Sequence, residues 1–241
     1  MAGSGPLAGQ TALITGASRG IGLACADALH NAGARLVLLG RDLAALTDHL
    51  KRLGGPGAAF AVDLAHADSV AKTLKTVRAH AGGAPDIVVN NAGQFLLAPI
   101  HETGVDDFQR VITVNLTSAF QIVREFLPDM RARGSGHIVT IGSLADREAL
   151  PNNAAYAASK HGVRALHGVL REELRGSGVR ATLISPEHVD TALWDDLPAG
   201  ARADLPPQAH MLNAAAVADA VLFALTRPAE VNVDELRLSR S

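Results

Sequence analysis

Thr15-Gly16-Ala17-Ser18-Arg19-Gly20-Ile21-Gly22 stands between a short apolar run, residues 11–15, and a segment with helical spacing. In that segment Ile21, Ala24, Cys25, Ala28, Leu29 and Ala32 recur on one face, and Gly33 closes it. Strand, glycine turn and helix in this order can cradle a phosphate. Gly16 permits the tight turn, and Gly20 lets a pyrophosphate approach the backbone. Gly22 lets the helix pack close to the sheet, while the helix N-terminus supplies N–H donors and positive potential. The spacing is Gly-x-x-x-Gly-x-Gly, not the Gly-x-Gly-x-x-Gly of the usual dinucleotide fingerprint. Glycines alone fit an ordinary strand–helix turn equally well; the flanking strand and helix favour a nucleotide.

Outward from this turn, short apolar runs recur at 35–39, 58–62, 86–90, 137–141, 179–184 and 230–236. Runs so short and continuously apolar suit strands buried on both faces of a parallel sheet. Longer segments with helical spacing separate them. One carries Leu116, Ala119, Phe120, Val123, Leu127 and Met130, with Pro128 expected to bend or end it early. Another carries Val163, Leu166, Leu170 and Leu174 and stops near Gly176 and Gly178. The alternation predicts an α/β fold: a Rossmann-like, doubly wound, parallel seven-stranded sheet with helices on both faces. No repeat or linker interrupts it, so residues 1–241 read as one domain. Residues 195–208 are weakly periodic, and a substrate lid is expected at about 190–212.

Composition narrows the function. The 241 residues are 48% hydrophobic and 19% charged, which excludes a disordered chain. A net charge of −2 argues against a phosphate-backbone binder, and the few aromatics argue against base stacking. The single cysteine, Cys25, excludes an internal disulfide and a cysteine-based zinc site, and the histidines show no metal-ligand spacing. No apolar stretch reaches membrane-spanning length and no secretory signal is visible, so a cytoplasmic location is expected.

Tyr156 and Lys160 stand four residues apart, on one face of a predicted helix. An ammonium beside a phenol favours the phenolate, so this spacing predicts a lowered tyrosine pKa. Such a tyrosine can exchange a proton near neutral pH, as carbonyl/alcohol redox chemistry requires. Ser143 follows the 137–141 run, at the strand end that borders the ligand crevice of an open parallel sheet. Its hydroxyl could bond a substrate oxygen as charge develops.

Together these motifs resemble the short-chain dehydrogenase/reductase family in its standard-length branch, over almost the whole chain. In order they are Thr15–Gly22, Asp63, Asn90-Asn91-Ala92-Gly93, Asn115, Ser143, Tyr156 and Lys160. The resemblance implies that Tyr156 is the general acid/base and that Ser143 orients the carbonyl. Lys160 would hold the nicotinamide ribose and lower the Tyr156 pKa, and Asn115 would hold a water linking Lys160 to solvent. It also implies cofactor contacts from Gly16, Ser18, Arg19, Gly20, Ile21 and Gly22. Asp63 would meet the adenine amino group beside Leu64, and Asn91, Ala92 and Gly93 would line the ribose. Pro186, backbone at Val189 and the Thr191 hydroxyl would border the carboxamide. A small-molecule carbonyl or alcohol partner and a homodimer or homotetramer follow by the same resemblance, with helices around 116–130 and 161–174 at the interface.

Members that prefer NAD carry an acidic residue at the end of the second strand. Gly40 stands there, followed by Arg41, whose planar fork suits a 2′-phosphate, with Arg19 as a second positive charge. NADP(H) is therefore expected over NAD(H). Asp42 either cancels the Arg41 field or caps the next helix. An NAD-dependent alcohol or hydroxysteroid-type dehydrogenase and a non-catalytic nucleotide sensor are the alternatives. Glu187 replaces the family's usual glycine after Pro186, placing a carboxylate near the substrate mouth. Arg147 and Glu148 read equally as substrate contacts or surface ion pairs.

Overall fold

A computed structural model describes residues 4–195, 197 and 206–241. β1 (Thr11–Thr15), α1 (Gly20–Asn31), β2 (Arg35–Gly40), α2 (Leu43–Leu53) and β3 (Gly57–Ala61) alternate as the apolar runs predict. They are followed by α3 (Ala67–Ala81), β4 (Ile87–Asn90), α4 (Val105–Ile112), α5 (Ser118–Arg133) and β5 (Gly136–Ile141). Then come α6 (Ala154–Glu173), β6 (Val179–Pro186), β7 (Val189–Asp190), β8 (Leu212–Asn213), α7 (Ala214–Leu225) and β9 (Glu235–Leu238). Seven parallel strands form one sheet in the order β3-β2-β1-β4-β5-β6-β9. The chain winds outward one way from β1 and the other way from β4. Between those two strands lies the topological switch, where open α/β sheets bind ligands at the strand carboxyl ends.

Period-two alternation divides the core. Ala12, Ile14, Leu36 and Leu38 face Cys25, Leu29, Val217 and Val221 of α1 and α7. Leu13, Val37 and Leu39 face Val70, Leu74, Ile122, Phe126 and Leu170 of α3, α5 and α6. Both faces of each central strand are thereby buried, which is why these segments read as unbroken apolar runs.

Three segments refine the sequence expectations. Of the two expectations for Pro128, a bend or an early end, the early end does not occur: helix α5 continues to Arg133. Proline removes one N–H, but Phe126 and Met130 on either side are fully buried and hold the helix in place. The last strand starts at Glu235, not near 230. Asn232 takes over the pairing before it: its Oδ1 accepts from Ala181 N and its Nδ2 donates to Ala181 O, each at 3.1 Å. Finally, paired segments flank the weakly periodic 195–208 stretch of the expected lid. Val189 and Asp190 pair with Leu212 and Asn213 in a small parallel ladder, and Gln208 donates to Asp190 Oδ1 at 2.8 Å. Both ends of the 190–212 segment are thus pinned together; 196 and 198–205 lie outside the described residues.

Candidate active site

The glycine turn behaves as its spacing predicts. Gly16 and Gly20 have φ of 65° and 57°, a region that favours glycine. A Cβ on Gly22 would come within 2.2 Å of the Gly16 carbonyl oxygen. Gly22 is therefore buried behind the turn and does not line the cleft; its part is to let α1 approach β1. Thr15 locks the turn to the end of β4, its Oγ1 accepting from Asn91 N and Ala92 N, both at 3.0 Å. Asn91 Nδ2 returns a bond to Thr15 O at 2.8 Å.

A cleft of about 920 Å³ opens over these strand ends, at the upper end of the size range for small-molecule sites. It is lined by Gly16, Ser18, Arg19, Gly20 and Ile21 from the turn, Arg41 after β2, and Asp63 and Leu64 after β3. Asn91, Ala92 and Gly93 follow β4, and Ser143, Tyr156, Lys160, Pro186, Val189 and Thr191 close the far side. Residues more than a hundred positions apart thus share one groove. Its shape fits an extended dinucleotide: a close-approach glycine turn at a helix N-terminus, a carboxylate at one end and a phenol–amine pair at the other.

Asp42 resolves its two readings. Its Oδ1 accepts from Ala45 N at 3.0 Å, capping α2, so its charge serves that helix while Arg41 lines the cleft. Asp63 accepts from Ala65 N at 3.0 Å through one oxygen and lies near His66 through the other. Thr191 caps the short helix Ala192–Trp194, and the Val189 carbonyl accepts from Trp194 Nε1 at 2.7 Å. Any carboxamide contact at Val189 therefore falls to its N–H.

At the reacting end the structure departs from the spacing argument. Burial is the largest influence on Tyr156 and pushes its pKa up to about 12; the hydrogen bond from Ser143 opposes this, and the Asp146 charge adds to it. Burial also pulls Lys160 down to about 8, against the Asp146 charge. The Lys160 Nζ stands 5.6 Å from the phenol ring centre and donates to Ile141 O at 2.9 Å. The amine does not acidify the phenol in the protein alone, because both groups are almost fully desolvated. A phenol that keeps its proton is suited to donating it.

Asn115 is likewise not where a water relay through its side chain would need it. It lies in a π-helical turn, Thr113–Thr117, and does not line the cleft. Its Oδ1 accepts from Gln94 N at 2.7 Å, and its Nδ2 donates to Gln94 O at 3.0 Å and Ser159 Oγ at 2.8 Å. Both Nδ2 hydrogens are committed to clamping the β4 loop onto α6. Such π turns are frequent at functional sites.

Asp146 was missed by sequence reasoning. Its carboxylate is fully buried and accepts from Ser143 N at 3.3 Å, Ser185 Oγ at 2.5 Å and Arg147 Nε at 2.7 Å. Ser143 Oγ in turn accepts from Ala145 N at 3.2 Å. Ser143-x-x-Asp146 is a capping box, a pattern that local sequence does carry. Arg147 continues the chain of charges to Glu235 at 2.6 Å. It is a structural ion pair rather than a substrate contact. Glu187 is exposed at the rim of the cleft, with His188 beside it.

The fold and the site together define a nucleotide-dependent oxidoreductase of the doubly wound α/β class. The family model for short chain dehydrogenases matches residues 10–201. An uncharacterised oxidoreductase of Staphylococcus epidermidis is 36% identical over 229 residues, covering 95% of this chain and 96% of the relative. A metagenomic short-chain oxidoreductase solved with NADP superposes with a TM-score of 0.84 at 33% identity, covering 98% of this chain and 99% of its own. A putative NAD(P)-dependent gluconate 5-dehydrogenase from Beutenbergia cavernae, with NADP bound, gives a TM-score of 0.85 at 34% identity, covering 97% and 96%. The chain belongs to the short-chain dehydrogenase family and is an oxidoreductase acting on CH–OH and C=O groups. Among the described residues no helix is long and apolar enough to cross a membrane, and none of the His, Cys, Asp and Glu clusters could hold a metal.

Proposed function

We propose that this protein is an NADP(H)-dependent carbonyl reductase or alcohol dehydrogenase in which Tyr156 is the general acid/base. The observation that carries the proposal is the buried Tyr156 with the half-buried Ser143 beside it, in a cleft that also presents Arg41 and Arg19. The bound nicotinamide supplies or accepts the hydride. Tyr156 delivers a proton to the substrate oxygen in reduction and removes it in oxidation. Ser143 donates to the same oxygen as negative charge develops there. Lys160, whose Nζ stands 5.6 Å from the phenol ring centre, would hold the nicotinamide ribose beside Tyr156. Asp63, Leu64, Asn91, Ala92 and Gly93 hold the adenosine half, and Pro186, Val189 and Thr191 border the carboxamide. The bound NADP in the two structural relatives is in keeping with this choice of cofactor. Following NADPH and NADH absorbance over a panel of carbonyl compounds tests the reading; no turnover with either cofactor would count against it.

Asp146 gives the proposal a pH signature. Lys160 is an ammonium below about 8 and an amine above it, so a step that needs the ammonium slows as pH rises through that value. The Asp146 charge, set against Arg147, Glu235 and the Ser185 hydroxyl, helps hold the proton on Lys160. Asp146→Asn keeps the shape and removes that charge. The alkaline limb of kcat/KM should then move to lower pH; a reduced rate with an unmoved limb would mean that Asp146 only supports Ser143.

A homo-oligomer is proposed through α5 and α6. Phe120 is 48% exposed and Val169 57% exposed, and both line an apolar groove with Val123, Leu127 and Leu166. An unpaired apolar groove of this kind marks an association surface. Val169→Glu is expected to yield monomers by sedimentation, and an unchanged mass would remove the assignment.

A further inference from the structure

The aromatic residues of this chain are few, six phenylalanines, one tryptophan and one tyrosine, yet three of them meet at the reacting phenol. Phe95 lies edge-to-face on Tyr156 with ring centres 4.8 Å apart, and on Trp194 at 5.0 Å. Trp194 donates its Nε1 hydrogen to the Val189 carbonyl, and its ring lies beside both Phe95 and His188. Leu96, Leu97, Leu150 and Leu193 extend this wall of the cleft, and Leu150 is 41% exposed there. Apolar surface left open beside a reacting group is surface for a ligand to cover.

The charges of the cleft are distributed the other way. Arg19 and Arg41 stand at the ends of β1 and β2. Arg110 lines the cleft one helical turn before Val114, which packs against the core cluster that includes Val62 and Leu64. Lys160 is turned to Ile141 O. Among the described residues, the side around Phe95, Leu150 and Trp194 offers no cation for a substrate carboxylate. It offers Glu187 instead, while burial lowers the His188 pKa against the opposing Glu187 charge. An anion drawn into such surroundings would lose hydration without gaining a partner.

We propose that the substrate is an uncharged ketone carrying a flat apolar group such as an aryl ring, or the corresponding secondary alcohol. This rests on the oxidoreductase reading above. The carbonyl oxygen bonds to Tyr156 and Ser143, and the flat group lies against Phe95 and Trp194, where aromatic contact adds to area burial. In reduction the carbonyl carbon gains a hydride from reduced nicotinamide while its π pair moves to oxygen. The oxygen takes the Tyr156 proton, and the phenolate regains one from water, so one NADPH and one proton are consumed per alcohol formed.

The test compares acetophenone with 4-acetylbenzoate, which adds only a carboxylate, and with pyruvate and butan-2-one, using NADPH and the purified full chain. Acetophenone should exceed both anions in kcat/KM by about 100-fold. Phe95→Ala should cost acetophenone roughly 10-fold more than butan-2-one, mainly in KM, a size ordinary for one lost apolar contact. Phe95→Leu should restore part of the loss, and NADPH fluorescence titration verifies that both variants retain the folded cofactor cleft. Equal losses on the two ketones, no reduction of acetophenone by wild type, or faster turnover of either anion would each overturn the substrate class. Anion turnover that vanishes in Tyr156→Phe would leave the proposed function standing, whereas turnover indifferent to Tyr156→Phe would overturn the function itself.

Discussion

Tyr156→Phe should lower kcat by about 10²- to 10⁴-fold, the usual range for loss of a positioned general acid, while NADPH binding stays near that of wild type. The substitution deletes one oxygen from a buried ring and leaves its packing on Phe95 in place. Ser143 then loses the group it bonds, and the substrate oxygen loses the proton donor proposed for it. A fall in kcat and kcat/KM together, with KM little changed, would mark an interaction made in the transition state. Single-turnover rates in the variant close to those of wild type would remove Tyr156 from the chemistry. The direction of the reaction enters here as well. Burial holds the Tyr156 pKa near 12, so the resting group is the acid, ready for reduction at neutral pH. Oxidation requires the phenolate and should accelerate as pH is raised.

Arg41→Asp should reverse the cofactor preference, lowering the NADPH/NADH ratio of kcat/KM by about 100-fold. A charge-assisted hydrogen bond contributes about 1.5–3 kcal/mol, roughly 10- to 150-fold, and the new carboxylate adds repulsion against a 2′-phosphate. It also gives the ribose hydroxyls an acceptor. The substitution is at an exposed position before α2, whose cap is supplied by Asp42, so the fold should tolerate it. Since Arg19 also lines the cleft, some preference should survive in the single variant. A ratio unchanged from wild type would place the phosphate elsewhere and favour the NAD-dependent alternative.

The misreadings share a cause. Four-residue spacing correctly puts Tyr156 and Lys160 on one helix face, but spacing says nothing about solvent. Once α6 packs against the sheet, both groups are at least nine-tenths buried, and desolvation overrides the attraction that the pair would have in water. Asn115 was legible as a site residue, yet its role depended on Gln94 and Ser159, more than twenty and forty positions away. Phe95 carries no local signal at all; it becomes a wall of the site only because the β4 loop and α6 meet. Asp146 did carry one, in its capping-box spacing from Ser143.

What the sequence determined by itself is what repeats locally along the chain. Continuous apolar runs, helical periodicity and a glycine turn between them require a parallel sheet wrapped by helices, with a phosphate-sized opening at the first turn. Those are consequences of backbone geometry and side-chain spacing, which neighbouring residues settle among themselves. The tertiary structure alone decided the protonation of the phenol, the clamp on Asn115, the burial of the Asp146 carboxylate and the aromatic wall beside Tyr156. Each of these depends on the dielectric and contacts that distant segments create when they pack together, and no window of sequence contains them.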